Sequence, residues 1–237
     1  MHKSQQAEIE WRDGPQNRSV PVSTRFDDPY FSMQGGLEET RHVFLAGNDL
    51  PDRFRPGFHI AELGFGTGLN MLTALLAWRA ADQTGKLYFT SFEAFPMAAA
   101  DMARALQSFP EFQPVAEPLL SAWRDGKTRI ETDDLVADII TGDARETLPA
   151  WQGRADAWFL DGFAPAQNPE LWQPDLMAEV ARHTAPEGTF ATYTAAGFVR
   201  RALQEAGFDV ERRSGFGRKR HMSTGKLTGR SSGRLTA

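Results

Sequence analysis

The chain contains no cysteine among its 237 residues. That absence excludes disulfides, cysteine-ligated zinc, iron–sulfur clusters and a thiolate nucleophile. Histidine is sparse: His2, His42, His59, His183 and His221 are scattered, without H-E-x-x-H spacing, so no catalytic metal is expected. No run of about 18 apolar residues occurs, which argues against a membrane-spanning helix. Residues 1–6 are polar and lack the apolar stretch of a secretory signal, so the expected compartment is the cytoplasm.

What is present suits one medium-sized folded domain. The hydrophobic fraction is 41%, with 17 Phe and 6 Trp, enough to build a core and to exclude overall disorder. The net charge of −5 does not advertise nucleic-acid binding, but it is unevenly spread. From Arg200 onward there are ten basic and three acidic residues, against 16 and 28 before it. An acidic body with a basic end can carry a local phosphate-binding face.

Residues 1–50 read as an irregular extension packed on the core, with turn signals at Gly14-Pro15, Asp27-Asp28-Pro29 and Gly35-Gly36 and a short helix over 38–45. From residue 58 the pattern alternates. Strands are expected at 58–63, 86–92, 155–160 and 189–194. Helices are expected at 69–81, at 96–108 with Pro96 in the first turn, at 171–183 and at 199–206. Residues 128–131 and 135–140 read as paired strands, and 208–212 with 220–224 as a closing hairpin. Alternating βα units predict an α/β fold with a doubly wound, mostly parallel sheet and an antiparallel edge. The organisation expected is an extension over 1–50, a core domain over 51–225, and a disordered Gly/Ser/Thr/Arg-rich tail over 226–237.

The sharpest motif is Glu62-Leu63-Gly64-Phe65-Gly66-Thr67-Gly68-Leu69-Asn70, between an expected strand and an expected helix. Glycines permit a tight turn and close backbone approach to a ligand, and the helix start offers unpaired N–H groups. Glu93 ends the next strand, where a carboxylate can accept ribose hydroxyls, and Asp143 ends the third, in reach of an adenine amino group. A dinucleotide, S-adenosylmethionine or a plain strand–turn–helix joint all remain open. The G-x-G-x-G spacing, the preceding acid and the lack of a basic residue in the loop favour the cationic S-adenosylmethionine over a pyrophosphate.

A second segment, Trp158-Phe159-Leu160-Asp161-Gly162-Phe163-Ala164-Pro165, delivers Asp161 from an apolar strand to a Gly/Pro loop. Ligands bind at that edge of an open parallel sheet. An amine accepting a methyl group must lose a proton whose pKa is about 10, and a carboxylate can orient the ammonium and take that proton. Asp161 suits the task, with Phe163 as an apolar wall, although an N-cap or turn residue would read the same way. Trp158, Phe159 and Trp172 read as packing residues. Without cysteine, carbon methylation by a thiolate or an iron–sulfur radical is closed, so nitrogen or oxygen acceptors remain.

These residues resemble the tRNA methyltransferases that form 5-methylaminomethyl-2-thiouridine, of the MnmD or MnmC methyltransferase-domain type. The resemblance runs from about residue 11 to 226. It rests on Pro21-Val22-Ser23, Phe26-Asp27-Asp28-Pro29-Tyr30-Phe31-Ser32, Gly36-Leu37-Glu38-Glu39-Thr40-Arg41 and the glycine loop. It also rests on Ser91-Phe92-Glu93-Ala94-Phe95-Pro96, the Asp161 segment, Asn168-Pro169-Glu170-Leu171-Trp172, Ala196-Gly197-Phe198 and Gly215-Phe216-Gly217-Arg218-Lys219-Arg220.

The resemblance implies a class I, Rossmann-like fold and methylation of an aminomethyl group on the tRNA wobble uridine, with S-adenosylmethionine as donor. It places the catalytic acid at Asp161 and the ribose contact at Glu93 with neighbouring Ala94. The methionine end falls to Glu62, Gly64, Phe65, Gly66 and Gly68. Tyr30 is expected to close over the cofactor or to anchor the extension, and Asn70 to touch the cofactor or cap a helix. The anticodon loop is expected to meet Arg218, Lys219 and Arg220. A flavin-dependent oxidase domain, carried by bifunctional members, is expected to be absent here and supplied separately, as are the upstream wobble-uridine enzymes. A small-molecule amine or O-methyltransferase, or a noncatalytic RNA-binding module, would share much of this pattern.

Overall fold

The computed structural model describes residues 6–14, 19–33 and 35–228. The expected disordered tail lies outside these residues from position 229 on. Up to there, the final strand continues through Leu227, three residues past its expected end.

Eight strands form the main sheet: β4 (His59–Leu63), β5 (Leu87–Glu93), β6 (Arg129–Glu131), β7 (Leu135–Thr141), β8 (Ala155–Leu160), β9 (Thr184–Thr192), β10 (Phe208–Ser214) and β11 (His221–Leu227). Their order is β10-β11-β9-β8-β4-β5-β7-β6. The five central strands are parallel, while β6 and the β10–β11 hairpin run antiparallel at the two edges. Strand β4 pairs with β5 on one side and β8 on the other, so chain direction across the sheet reverses there. Ligand crevices form outside the carboxyl ends of strands at such a switch point.

The central strands read as apolar runs because both faces are covered. Trp158, Phe159 and Leu160 of β8 and Ile60 and Ala61 of β4 are inaccessible to solvent. Helices α2 (Leu69–Ala80), α3 (Ala99–Leu106), α4 (Glu117–Arg124), α5 (Ala144–Ala150), α6 (Pro174–Arg182) and α7 (Gly197–Glu205) supply the covering layers. Helix α7 buries Val199, Ala202 and Leu203, the i, i+3, i+4 stripe of a helix with one solvent face. Helix α2 is buried almost all round over its first seven residues, because α1 (Gly36–Thr40) lies against it.

The amino-terminal fifty residues are more regular than expected. Strands β1 (Ile9–Asp13), β2 (Ser19–Ser23) and β3 (Asp28–Pro29) form an antiparallel sheet. Pro21 within β2 hid it, since proline ordinarily demotes a strand reading. Trp11 attaches this sheet to α3, donating to Asp101 at 3.3 Å and lying 3.9 Å beneath the Arg104 guanidinium. Helix α3 starts at Ala99, so Pro96 precedes it rather than opening it. Helix α6 starts at Pro174, after a separate tight turn over Pro169–Trp172, because proline holds Gln173 extended. Helices α4 and α5 were not anticipated; each is short and contains a proline, Pro118 or Pro149. Among the described residues, no helix is long and apolar enough to cross a membrane.

Candidate active site

Strands β4, β5, β7 and β8 end at one edge of the sheet, and a cavity of about 820 Å³ opens there. Its floor is the glycine loop. Gly64, Gly66 and Gly68 have φ of +87°, +53° and +78°, a region that favours glycine. At Gly64 the need is also spatial, because a Cβ would collide with the Asp161 carbonyl. The β4 and β8 loops can therefore touch, and Asp161 N–H donates to Leu63 O at 3.1 Å.

Glu93, at the end of β5, is buried beneath this loop. Its Oε2 accepts from Gly66 N–H at 2.9 Å and its Oε1 from Phe95 N–H at 2.7 Å. Burial raises its pKa, opposed by those backbone donors. The backbone N–H groups of Phe65 and Ala94 also favour its charged form.

Behind the wall runs a buried chain of hydrogen bonds. Thr40 Oγ1 donates to Asn70 Oδ1 at 2.9 Å. Asn70 Nδ2 donates to Glu62 Oε1 at 2.8 Å and to Asp161 Oδ2 at 2.7 Å. Ser91 Oγ donates to Glu62 Oε2 at 2.6 Å. Burial drives the Glu62 pKa well above the usual carboxylate range. Asp161 faces the cavity, and burial lifts its pKa to about 7, with the Asn70 hydrogen bond pulling the other way.

The loop carrying Asp161 is fixed from several sides. Tyr193, one residue beyond β9, donates its hydroxyl to Gly162 O at 2.6 Å. Trp172 Nε1 donates to Phe163 O at 3.0 Å, and Asp28 accepts from Ala164 N–H at 2.7 Å. Phe26 stacks on Phe163 with ring centres 4.7 Å apart, and Tyr30 meets the same ring edge-on at 5.1 Å. Burial raises the Tyr30 phenol pKa, so it stays neutral.

Comparison with known proteins gives these features a family. A model described as S-adenosyl-L-methionine-dependent methyltransferase matches residues 110–228, from α4 through the closing hairpin. The chain belongs to this family of S-adenosyl-L-methionine-dependent methyltransferases. It is 48% identical over 240 residues to the tRNA 5-methylaminomethyl-2-thiouridine biosynthesis bifunctional protein MnmC of Pseudomonas paraeruginosa, covering 97% of this chain and 36% of that protein. The MnmC of Stutzerimonas stutzeri is 48% identical over 234 residues, covering 94% and 35% respectively. The chain thus spans about a third of the length of these relatives. A crystal structure of MNMC2 from Aquifex aeolicus superposes with a TM-score of 0.73 at 24% identity, covering 94% of this chain and 72% of that one, which supports the fold.

The cavity of this methyltransferase suits the donor that its family requires. Residues 62–70 carry no basic side chain and Glu93 and Asp161 stand beside them, an environment for a cationic sulfonium; the basic lining residues Arg25, Arg145, Arg218 and Lys219 come from other segments, Arg145 paired with Asp143 and Lys219 with Glu39. A Cβ on Gly66 would press on the Tyr30 ring, so the glycine leaves a cradle between loop and ring.

Tyr30, Gly64, Phe65, Gly66, Asn70, Glu93, Ala94, Asp143, Asp161, Phe163, Arg218 and Lys219 all line the cavity. Glu62 and Gly68 stand behind its wall, and Arg220 lies outside it, exposed. Asn70 lies within the first turn of α2 and does not cap it; its amide serves the two carboxylates. Asp143 caps α5 through Arg145 N–H and is ion-paired with the Arg145 side chain, which lowers its pKa. Lys219, expected at the RNA, pairs with Glu39 at 2.8 Å while 46% of its side chain stays exposed.

Sequence reasoning missed the roles of Glu39, Thr40, Ser91 and Tyr193. Tyr193 had a usable signal, its place at the carboxyl end of a central strand. Thr40 had none, since its partner Asn70 is thirty residues away.

Proposed function

We propose that this methyltransferase acts on the amine of a 5-aminomethyl group at the wobble 2-thiouridine of tRNA, giving 5-methylaminomethyl-2-thiouridine. The observation carrying the reading is Asp161, a cavity carboxylate held by Asn70 with its pKa lifted to about 7. The substrate in the relatives' names supports it.

An alkylammonium with pKa about 10 is inert until it loses a proton. Transfer to an ordinary aspartate would be uphill by about six pKa units, or about 8 kcal/mol. Raising Asp161 to about 7 removes about 4 kcal/mol of that, because each unit is worth about 1.4 kcal/mol. Asp161 thus orients the ammonium, accepts its proton and leaves a nitrogen lone pair. S-adenosylmethionine, when bound, would supply the methyl on a sulfonium, its carbon–sulfur bond giving way to the new carbon–nitrogen bond and its sulfur leaving as a neutral thioether. The fixed loop aligns the amine, the principal demand of a displacement at carbon.

Glu93 and Ala94 take the ribose end of the donor, and Asp143 the adenine end. Gly64, Phe65 and Gly66 take the methionine end, supported from behind by Glu62 and Gly68. Tyr30 and Phe163 form the apolar walls. The exposed Arg218 and Arg220 meet anticodon-loop phosphates, from which the wobble base is splayed into the cavity. Residues 51–225 make the methyltransferase unit, to which the preceding fifty contribute Asp28, Tyr30 and Glu39. A flavin-dependent oxidase or an upstream uridine-modifying enzyme supplies the aminomethyl group, and the cytoplasm is the setting.

Incubation with labelled S-adenosylmethionine and tRNA with or without the aminomethyl group tests this. Label on the wobble nucleoside of only the aminomethyl tRNA is expected. Label on neither, with the donor still bound, would move the acceptor to small amines.

A further inference from the structure

Lys219 occupies a place that its exposure alone does not explain. It sits at the tip of the β10–β11 hairpin, between Gly217, with φ of +58°, and Arg220. Its ammonium reaches back into the cavity, 2.8 Å from Glu39 Oε1 and 4.1 Å above the centre of the Tyr193 ring. Both contacts lead to Asp161. Glu39 precedes Thr40, whose hydroxyl binds Asn70, and Asn70 binds Asp161. The Tyr193 hydroxyl binds Gly162 O, the next residue after Asp161. Glu39 is well shielded, with 13% of its side chain exposed, whereas Lys219 is 46% exposed. Glu39, Asp28 and Asp161 all act electrostatically on Tyr193, so the ring lies within one acidic surround.

A shielded carboxylate and an aromatic face that already share one ammonium, within electrostatic reach of a general base, form a receptor for a primary alkylammonium. We propose that Glu39 and the Tyr193 ring are the subsite that holds the substrate's aminomethyl ammonium beside Asp161, with the Lys219 ammonium standing in the substrate's position in this structure. The proposal rests on the amine-methylation reading above. Lys219 carries the same functional group as the substrate, a primary ammonium on a flexible alkyl chain. Only the lysine side of this pair is exposed, and an incoming ammonium replaces its charge one for one, so the exchange leaves no shielded carboxylate unpaired. Gly217, with φ of +58°, makes the turn that presents Lys219, and Gly215 lets the two sides of the tip approach, since a Cβ there would meet the Lys219 carbonyl. Specificity follows from the same contacts: a hydroxymethyl group cannot offer the charge that Glu39 and the ring are placed to bind.

The test uses anticodon stem-loop RNA carrying either 5-aminomethyluridine or 5-hydroxymethyluridine at the wobble position. Equilibrium binding is measured without the methyl donor, and KM for methyl transfer with it. The wild-type chain is expected to prefer the amine tenfold or more, and Glu39→Gln to lose most of that preference. A general structural lesion would weaken both RNAs equally and leave the ratio intact. Lys219→Met is expected to lower KM for the aminomethyl RNA severalfold. A preference retained by Glu39→Gln would overturn the subsite, and a raised KM in Lys219→Met would make Lys219 an RNA contact instead. Absence of transfer to the aminomethyl RNA by the wild-type chain would overturn the underlying reading of the reaction.

Discussion

Asn70 donates to Asp161 and to Glu62 through one amide nitrogen, at 2.7 and 2.8 Å. An amide nitrogen has two hydrogens, and here each meets a different carboxylate. Its oxygen is taken by Thr40, so every hydrogen-bonding capacity that fixes this side chain's orientation is used. The first turn of α2 thereby positions a residue of the β8 loop.

Asn70→Ala should uncouple that loop. A hydrogen bond to a charged group is worth about 1.5–3 kcal/mol, so kcat is expected to fall about 10- to 100-fold. The donor's dissociation constant, measured by calorimetry, should change far less, because Glu93 and the glycine loop are untouched. Equal losses in both would instead mark Asn70 as a cofactor contact.

The pH profile follows from the same contacts. Asp161 must be ionised to take a proton, and burial holds its pKa at about 7. Below that, kcat/KM is expected to rise tenfold per pH unit, then to level off above it. The Asn70 bond favours the charged form, so Asn70→Ala should move this limb to higher pH. A flat profile between pH 5 and 8 would remove Asp161 from the role of base.

Stability should run against activity at this position. A carboxylate whose folded pKa lies above its unfolded value binds more protons in the folded state over that interval. Its burial therefore weakens the fold as pH rises from about 4 to about 7, by up to about 4 kcal/mol for three units. Asp161→Asn should be inactive yet melt higher than wild type at pH 8, with the difference shrinking towards pH 4. Equal melting temperatures at pH 8 would mean that the carboxylate is well solvated.

Gly64→Ala should damage the fold itself. The φ of +87° costs a non-glycine residue about 1–3 kcal/mol, and the Cβ must also push back the Asp161 carbonyl. A lower melting temperature together with lost donor binding is expected, while Gly57→Ala, at φ +77° with open space around it, should lose only stability.

Much of this architecture was legible beforehand. Strand β8 was bounded correctly by its apolar run, and the pairing of β6 with β7 by the intervening Thr132-Asp133-Asp134 turn. Gly64, Glu93 and Asp161 could be placed at one sheet edge because parallel strands put their carboxyl ends together. The Thr40–Asn70–Asp161 chain could not, since hydrogen bonds across 30 and 91 residues leave no periodic trace. The pairing of Lys219 with Glu39 was equally hidden, because a basic loop reads as solvated until its acidic partner, 180 residues away, is located.

The most direct measurement is transfer of labelled methyl from S-adenosylmethionine to tRNA bearing an aminomethyl wobble uridine, with Asp161→Asn alongside. Label in 5-methylaminomethyl uridine with the wild-type chain, and its loss in a variant that still binds the donor, is the expected result. Undiminished labelling by Asp161→Asn would contradict the assignment of Asp161 as the base.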